Sequence, residues 1–171
     1  GNTGADICLE LAEAGLNVDA AVRGPVNIMP IRLLGVPPTS LGLLPKILGY
    51  RLADSLTAPI LRSAIGRPED YGLQSAPKGP VSQIVEDGKI PIIDHGALPA
   101  IKAGKITIRS GVASLDGGEV CFEDESRHQY DSVIFATGFD VDLRPILGHR
   151  PDALTPEGAP LTSGGATQAD G

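Results

Sequence analysis

The start of the chain constrains its fold more than any other stretch. It begins with the tetrapeptide GNTG, continues as ADICLELAEAG and then as LNVDAAVR. Apolar residues at i, i+4 spacing predict an amphipathic helix over residues 4–14, capped by Asn2 or Thr3 and ended by Gly15. Alternating apolar residues then predict a strand that ends at Arg23. A glycine turn, a helix and a strand in this order are typical of a nucleotide-binding α/β unit, in which another strand precedes the turn.

The glycine turn and Arg23 together indicate NADP binding. Gly1 and Gly4 match the second half of a G-x-G-x-x-G turn, whose helix N-terminus offers free N–H groups to a pyrophosphate. An acidic residue about 20 positions later would bind the ribose of NAD, and Arg23 occupies that place instead. A guanidinium binds a 2′-phosphate, with Arg32 as a weaker second candidate. Asp19 lies too early in the strand to bind ribose. A simple capped turn and a strand-end arginine remain the alternative interpretations.

The middle of the chain is rich in turn signals. Prolines predict a loop over residues 24–39, and residues 66–91 also resemble loop. Between them, residues 40–65 predict one or two helices broken near Pro45 and Pro59, forming an apolar insertion that packs on the domain rather than in a membrane. A short helical turn follows at residues 97–101 and stops at Gly104.

Three strands are predicted after Gly104. They are ITIRSGVASL, EVCFED and YDSVIFATG, with EDESRH as a solvated hairpin between the second and the third. Ile106 and Ile108, like Val120 and Phe122, alternate with polar residues, as half-buried antiparallel strands do. The continuous apolar run over residues 133–136 predicts a strand buried on both faces. The last thirty residues lack periodicity.

Composition excludes several function classes. Lys+Arg 14 against Asp+Glu 21 gives a net charge of -7, and aromatic residues make up only 4%. An acidic surface with few stacking side chains argues against a nucleic-acid partner. Two cysteines and three scattered histidines predict neither a disulfide framework nor a metal site. Without an apolar stretch long enough for a membrane span, and with ends that resemble cuts, the chain is expected to be a piece of a longer cytoplasmic protein.

Four segments resemble a known family in order and at compatible spacing. They are GNTGADICLELAEAG, AAVRGPVNIMP, KIPIIDHGALPAIKAGKITIRSGV and YDSVIFATGF. Together they resemble the flavin-containing monooxygenases, in the subgroup of the plant auxin-forming (YUCCA-type) enzymes and their bacterial relatives. The resemblance covers about residues 1–148. It implies that the parent uses NADPH to reduce FAD and O2 to oxygenate a small organic substrate.

The resemblance also implies roles for particular residues. The cofactor-binding residues would be Gly1, Asn2, Thr3 and Gly4 of the NADPH glycine motif, Arg23 for the 2′-phosphate, and Ala136, Thr137 and Gly138 where the chain returns to the FAD domain. Asp94 is expected to hold its own loop by an Asx-type bond rather than to act as an acid. The family's first glycine motif, for FAD, is absent from this sequence. No catalytic residue is assigned, because in this family the flavin performs the oxygen chemistry.

The expected fold is therefore α/β, a Rossmann-like NAD(P)-binding domain of a two-dinucleotide-domain flavoprotein. The NADPH-binding domain would span residues 1–138, without its first strand, with a helical insertion at about 40–65 and an antiparallel strand meander. Residues 139–171 would be an incomplete return segment toward the FAD domain. Two other interpretations stay open: an FAD/NAD(P) oxidoreductase of the disulfide-reductase architecture, and a non-catalytic nucleotide-binding remnant.

Overall fold

The computed structural model describes residues 1–33, 35–37, 49–139, 142–148 and 150–161. The chain divides into two compact units, Gly1–Ala136 and Thr137–Gly171. The first unit is mixed α/β. Its described helices are α1 (Asn2–Glu13), α2 (Tyr50–Ile65), α3 (Pro80–Asp87) and α4 (Ala97–Lys102), and a 3-10 turn spans Pro68–Tyr71. Its described strands are β1 (Val18–Ala21), β2 (Ile28–Pro30), β3 (Ile92–Asp94), β4 (Ile106–Arg109), β5 (Val112–Asp116), β6 (Glu119–Phe122) and β7 (Arg127–Gln129).

Helix α1 confirms the predicted element and its C-terminal stop. Gly15 has φ +83°, and its N–H donates to the carbonyl of Ala12 while Leu16 N–H donates to that of Leu11, both at 3.1 Å. These two bonds form a Schellman motif, which satisfies the last carbonyls of the helix. The N-terminus differs from the prediction, because α1 begins at Asn2 with Gly1 as its N-cap and no side chain caps it.

Strands β1 and β4 form a parallel pair. The register runs from Val18 opposite Ile106 to Ala21 opposite Arg109. The expectation that Ile106 and Ile108 belong to an antiparallel strand is therefore wrong. Alternation reports only that one face is buried, and a long crossover between β1 and β4 allows the parallel pairing. Strands β2 and β3 form a second parallel pair. An antiparallel meander is present as predicted, but it consists of β5, β6 and β7, and only β6 coincides with a predicted strand.

One face of the β1–β4 pair is covered by helices. Ala12 of α1 and Ala100 of α4 pack with Val18 and Ile106 in one buried cluster, in which Ile106 is only 2% exposed. A second buried cluster lies beside it, formed by Ile28, Tyr71, Leu73 and Leu98. The core of the unit therefore lies between the short parallel strands and the helices α1 and α4.

The described part of the apolar insertion is a helix that continues through its proline. Pro59 lies inside α2, so the predicted break there is wrong; Pro45 lies outside the described residues. Proline removes the hydrogen bond to the carbonyl of Ser55, and both residues are exposed, so water can satisfy that carbonyl. The insertion packs on the domain as expected. Asp54, only 8% exposed, accepts the N–H groups of Val81 at 3.0 Å and Ser82 at 2.8 Å, at the start of α3.

Two regular elements lie in stretches that were expected to be loop. Strand β2 falls within residues 24–39, and helix α3 falls within residues 66–91. The sequence does contain a signal for helix α3: Pro80 stands at its first position and Gly88 ends it with φ +64°. The surrounding turn residues obscured that signal. Strand β2 is short, and its Ile28 side chain is buried in the second cluster.

The C-terminal strands of the first unit depart from prediction at both ends. The predicted strand ITIRSGVASL is two strands, β4 and β5, and β7 occupies part of the predicted hairpin EDESRH. β6 confirms its prediction, with Val120 and Phe122 buried. Residues 133–135, expected in a strand buried on both faces, are in no strand and are exposed, with Phe135 at 70%.

The second unit contains a short helix, α5 (Arg144–Leu147), and a 3-10 turn at Pro151–Ala153. Arg144 holds the Asp142 carboxylate with two N–H donors, Nε to Oδ1 and Nη2 to Oδ2, each at 2.8 Å. These hydrogen bonds lower the pKa of Asp142 to about 2. Leu154 is buried in this unit, where it bridges to Pro160.

Candidate nucleotide-binding site

Three ends of secondary structure converge at one edge of the first unit. Helix α1 and strand β1 are joined by only a few residues and pack together, so the N-terminus of α1 lies at the same edge as the C-terminal end of β1. β4 runs parallel to β1, so Arg109 at its last position lies there too. In parallel sheets with helical crossovers, ligands bind at this edge.

The N-terminus of α1 provides unused backbone donors. The first intrahelical hydrogen bond joins Ala5 N–H to the carbonyl of Gly1 at 3.2 Å, so the amides of residues 2–4 precede it. A methyl group added at Gly1 would meet nothing within 4 Å, whereas one at Gly4 would lie 3.4 Å from Cβ of Ala136. The helix end at Gly1 is therefore open, as binding of an anionic phosphate group requires. Gly4, by contrast, packs against Ala136.

Asn2 attaches this helix end to the neighbouring strand. Its Nδ2 donates to the carbonyl of Pro91 at 3.2 Å, and its Oδ1 accepts the N–H of Ile93 at 2.7 Å. The expected N-cap role of Asn2 is therefore wrong, because its side chain satisfies β3 instead of the helix. Thr3 is exposed beside it.

Strand β1 ends at Ala21, two residues earlier than predicted, and Arg23 follows after Val22 with an exposed side chain. Among the described residues no ion pair or side-chain hydrogen bond involves it, so its charge stays uncompensated at the sheet edge. The weaker candidate Arg32 is also exposed, and its Nη1 lies 3.5 Å from the carbonyl of Gly35. Of the two, only Arg23 adjoins the strand whose end lies beside the N-terminus of α1.

A polar triad lies on the face of the β1–β4 pair opposite the helices. Arg109 Nε donates to Oδ2 of Asp19 at 2.8 Å, and the hydroxyl of Tyr130 donates to the same oxygen at 2.6 Å. Burial raises the pKa of Asp19, but the hydrogen bonds from Tyr130 and Arg109 lower it further than burial raises it. Burial and the bond to Asp19 raise the pKa of Tyr130 to about 12. Asp19 is thus committed to these partners, consistent with its exclusion as a ribose ligand.

The loop after β3 is held by two acidic side chains. Oδ1 of Asp94 accepts the N–H groups of Gly96 at 3.1 Å and Leu98 at 3.0 Å, which confirms the expected structural role of this residue. Asp6 of α1 lies 2.9 Å from Nδ1 of His95 in an exposed pair. The bonds of Asp94 fix the loop that enters α4, and the Asp6–His95 pair links this loop to α1.

The remaining expected site residues, Thr137 and Gly138, belong to the second unit. Both are exposed, and Gly138 has φ +94°, a conformation that favours glycine. The described ranges contain no cluster of metal-ligating side chains. Nor does any described helix have the length and apolar character of a membrane span.

Sequence reasoning missed Arg109, which the structure places at the same edge as Arg23. It ends an apolar alternation, and polar residues at the ends of parallel strands often face a ligand. That signal is hidden because the alternation predicts one antiparallel strand over residues 106–115. Tyr130 carried no signal, since its contact with Asp19 joins residues far apart in the sequence.

Comparison with known proteins identifies the family. The chain is 32% identical over 171 residues to the indole-3-pyruvate monooxygenase YUCCA8 of Oryza sativa subsp. indica, which is 98% of this chain and 40% of that protein. The chain corresponds to part of a YUCCA-type flavin monooxygenase. It is also 35% identical over 140 residues to the probable indole-3-pyruvate monooxygenase YUCCA3 and 34% identical over 162 residues to indole-3-pyruvate monooxygenase YUCCA6, both of Arabidopsis thaliana, covering 81% and 94% of this chain.

The matched region is a portion of these YUCCA relatives. The chain spans 40% of the length of the rice protein, 32% of YUCCA3 and 39% of YUCCA6. No protein-family model matches the chain. The alignment with YUCCA8 runs over nearly the whole chain.

Proposed function

We propose that the YUCCA-type parent is an FAD- and NADPH-dependent monooxygenase of a small organic substrate, and that this chain supplies its NADPH-binding domain. The domain is Rossmann-like over residues 1–138, and residues 139–171 lead back toward the FAD domain. Indole-3-pyruvate, named for the relatives, is the first substrate to test. A cytoplasmic location remains part of this proposal.

One arrangement supports this assignment above all. Free amides at the N-terminus of α1 and the exposed guanidinium of Arg23 lie at the same edge of the β1–β4 pair. The amides suit a pyrophosphate, and an uncompensated arginine suits the 2′-phosphate that distinguishes NADPH from NADH. The donor set of this edge therefore fits NADPH. When bound, the dinucleotide supplies a hydride for reduction of the flavin.

The residues of this chain then bind and orient rather than react. Residues 2–4 would donate backbone N–H groups to the pyrophosphate, and the lack of a side chain at Gly4 leaves room between the helix and Ala136. Asn2 would keep that helix end fixed on β3. Thr137 and Gly138 follow Ala136 and would place backbone near the cofactors at the passage to the FAD domain.

The exposed apolar residues 133–135 support the proposal that the full-length parent supplies a further strand beside them. β1 pairs only with β4 among the described strands, and residues 133–135 are exposed while the adjoining Ala136 contacts the position of Gly4. A parallel strand leading into Gly1 would lie between β1 and residues 132–136. It would pair with both and cover the exposed side chains.

The proposal is tested by mixing the full-length parent anaerobically with NADPH or NADH and following the flavin absorbance. Wild type is expected to be reduced much faster by NADPH. Arg23→Ala should erode that preference by about 1–3 kcal/mol, the value of a charge-assisted contact, while Arg127→Ala, on the exposed strand β7, should not. Equal rates with both nucleotides in the wild type would reject the role of Arg23. A protein that neither holds flavin nor oxidises NADPH would favour the remnant interpretation.

A further inference from the structure

The segment that carries Arg23 is attached to strand β4 at Arg109. The N–H of Val22 donates to the carbonyl of Arg109 at 3.0 Å, one residue before Arg23. This bond continues the β1–β4 register beyond Ala21, which lies opposite Arg109. The backbone position of Arg109 therefore sets where the chain leaves β1 and where the guanidinium of Arg23 can reach.

Arg109 is in turn held by its own side chain. Its Nε donates to Asp19, whose carboxylate also accepts the hydroxyl of Tyr130. The side chains of Arg109 and Asp19 are 27% and 19% exposed, so this pair is partly shielded from water, unlike the exposed pair Arg127–Glu119. Tyr130 follows β7 and ties the antiparallel sheet to the same point. Three separate segments thus fix one strand end.

The triad also decides which arginine at this edge is available. Asp19 compensates the charge of Arg109, whereas Arg23 has no acidic partner among the described residues. A dianionic phosphate placed at the strand ends would therefore be attracted mainly to Arg23. Without Asp19, Arg109 and Arg23 would both be uncompensated and would compete for the phosphate at this edge.

We propose that Asp19, Arg109 and Tyr130 are positioning residues for NADPH selectivity: they fix the end of β4 so that Arg23 meets the 2′-phosphate. This inference rests on the proposed function, since it requires Arg23 to bind that group. It assigns the triad no contact with the nucleotide. Its effect should therefore appear in the affinity for the 2′-phosphate and should depend on Arg23.

The test is equilibrium binding to the full-length parent, measured by calorimetry with two probes, 2′,5′-ADP and 5′-AMP. Their Kd ratio isolates the 2′-phosphate from the rest of the nucleotide. Arg109→Lys keeps the charge but loses the planar donor geometry, and should raise the Kd of 2′,5′-ADP by roughly three- to tenfold with that of 5′-AMP unchanged. Tyr130→Phe, which removes one hydroxyl, should act in the same direction with a smaller change. Arg127→Lys is the matched control and should leave both values unchanged.

A double variant separates positioning from direct contact. In an Arg23→Ala background, Arg109→Lys should no longer change the Kd ratio, because the effect passes through Arg23. A full effect in that background, an equal rise for both probes, or no effect of Arg109→Lys and Tyr130→Phe would each overturn the proposal. If Arg23→Ala alone leaves the ratio intact, the role of Arg23 in the proposed function fails, and the positioning role fails with it. Tm values of each variant show whether the binding changes occur in folded protein.

Discussion

Two apolar stretches of the first unit have opposite fates. Strand β4 pairs with β1 and places Ile106 in the core at 2% exposure, whereas Ile134 in the run over residues 133–136 is 57% exposed. Both stretches have strand-forming residues, so intrinsic preference does not explain the difference. β4 has a paired neighbour and a helical cover, whereas residues 133–135 have neither among the described residues. Hydrophobic burial therefore follows from the presence of a partner rather than from the apolar character of the run.

The largest expected effect comes from truncating one isoleucine in each stretch. In the 171-residue chain, Ile106→Ala should lower the free energy of unfolding by about 2–5 kcal/mol, because it opens a cavity between α1 and the sheet. Ile134→Ala should change it by at most about 0.5 kcal/mol, because the side chain already faces water. Urea denaturation followed by circular dichroism measures both values.

The same pair of variants in the full-length parent sharpens the comparison. If a supplied strand covers residues 132–136, Ile134→Ala should there become destabilising to an extent similar to Ile106→Ala. Slow amide exchange at residues 133–135 of the parent would accompany it. If Ile134→Ala leaves the stability of the parent unchanged, the proposal of a covering strand is wrong.

A smaller effect is expected at Tyr130, which anchors the start of the exposed run to β1. Tyr130→Phe should cost about 1–2 kcal/mol, since it removes a hydrogen bond to a charged carboxylate. The folded-state pKa of Tyr130 is raised from 10.0 to about 12, so its contribution is fully present below pH 10 and is lost as pH rises through about 12. The difference in stability between wild type and Tyr130→Phe should shrink over that range.

Titration of Asp19 predicts a second loss at low pH. Its pKa is lowered from 3.8, so the triad contributes stability above that value and loses it as pH falls through the lower folded-state pKa. The free energies of unfolding of wild type and of Tyr130→Phe, measured between neutral and acid pH, test this loss.

At alkaline pH, a Tyr130→Phe protein whose stability falls in the same way as that of wild type would contradict the raised pKa of Tyr130.

The smallest effect is expected at the other end of the run, where Ala136 approaches Gly4. Gly4→Ala places a methyl group 3.4 Å from Cβ of Ala136, in van der Waals contact, and Ala favours the helix by about 1 kcal/mol over Gly. The chain should therefore keep its stability within about 1 kcal/mol. In the parent, the same variant should weaken NADP⁺ binding measured by calorimetry, because a methyl group between α1 and Ala136 shifts the helix end whose amides would meet the pyrophosphate. Unchanged binding would assign Gly4 to helix packing alone.

Local elements with strong periodicity could be predicted from the sequence. α1, its stop at Gly15, β1, α4 and β6 all confirm their predictions, since a buried face and a glycine at φ > 0 leave a clear pattern. The family could be predicted too, from the order and spacing of the four segments. Turn-rich stretches gave the errors: α3 was missed behind its prolines, and α2 continues through Pro59 because the freed carbonyl faces solvent.

By itself, the sequence determined the glycine turn, the amphipathic helix and the arginine after β1, because each depends on neighbours only a few residues away. Only the tertiary structure decided that β4 lies parallel to β1, that Asp19 joins Arg109 and Tyr130, and that Gly4 meets Ala136. Those contacts link residues about 90 or more positions apart, and no local preference encodes them. Strand pairing and long-range hydrogen bonds form only when the chain packs. They place the N-terminus of α1, which is proposed to bind phosphate, and Arg23 at the same edge.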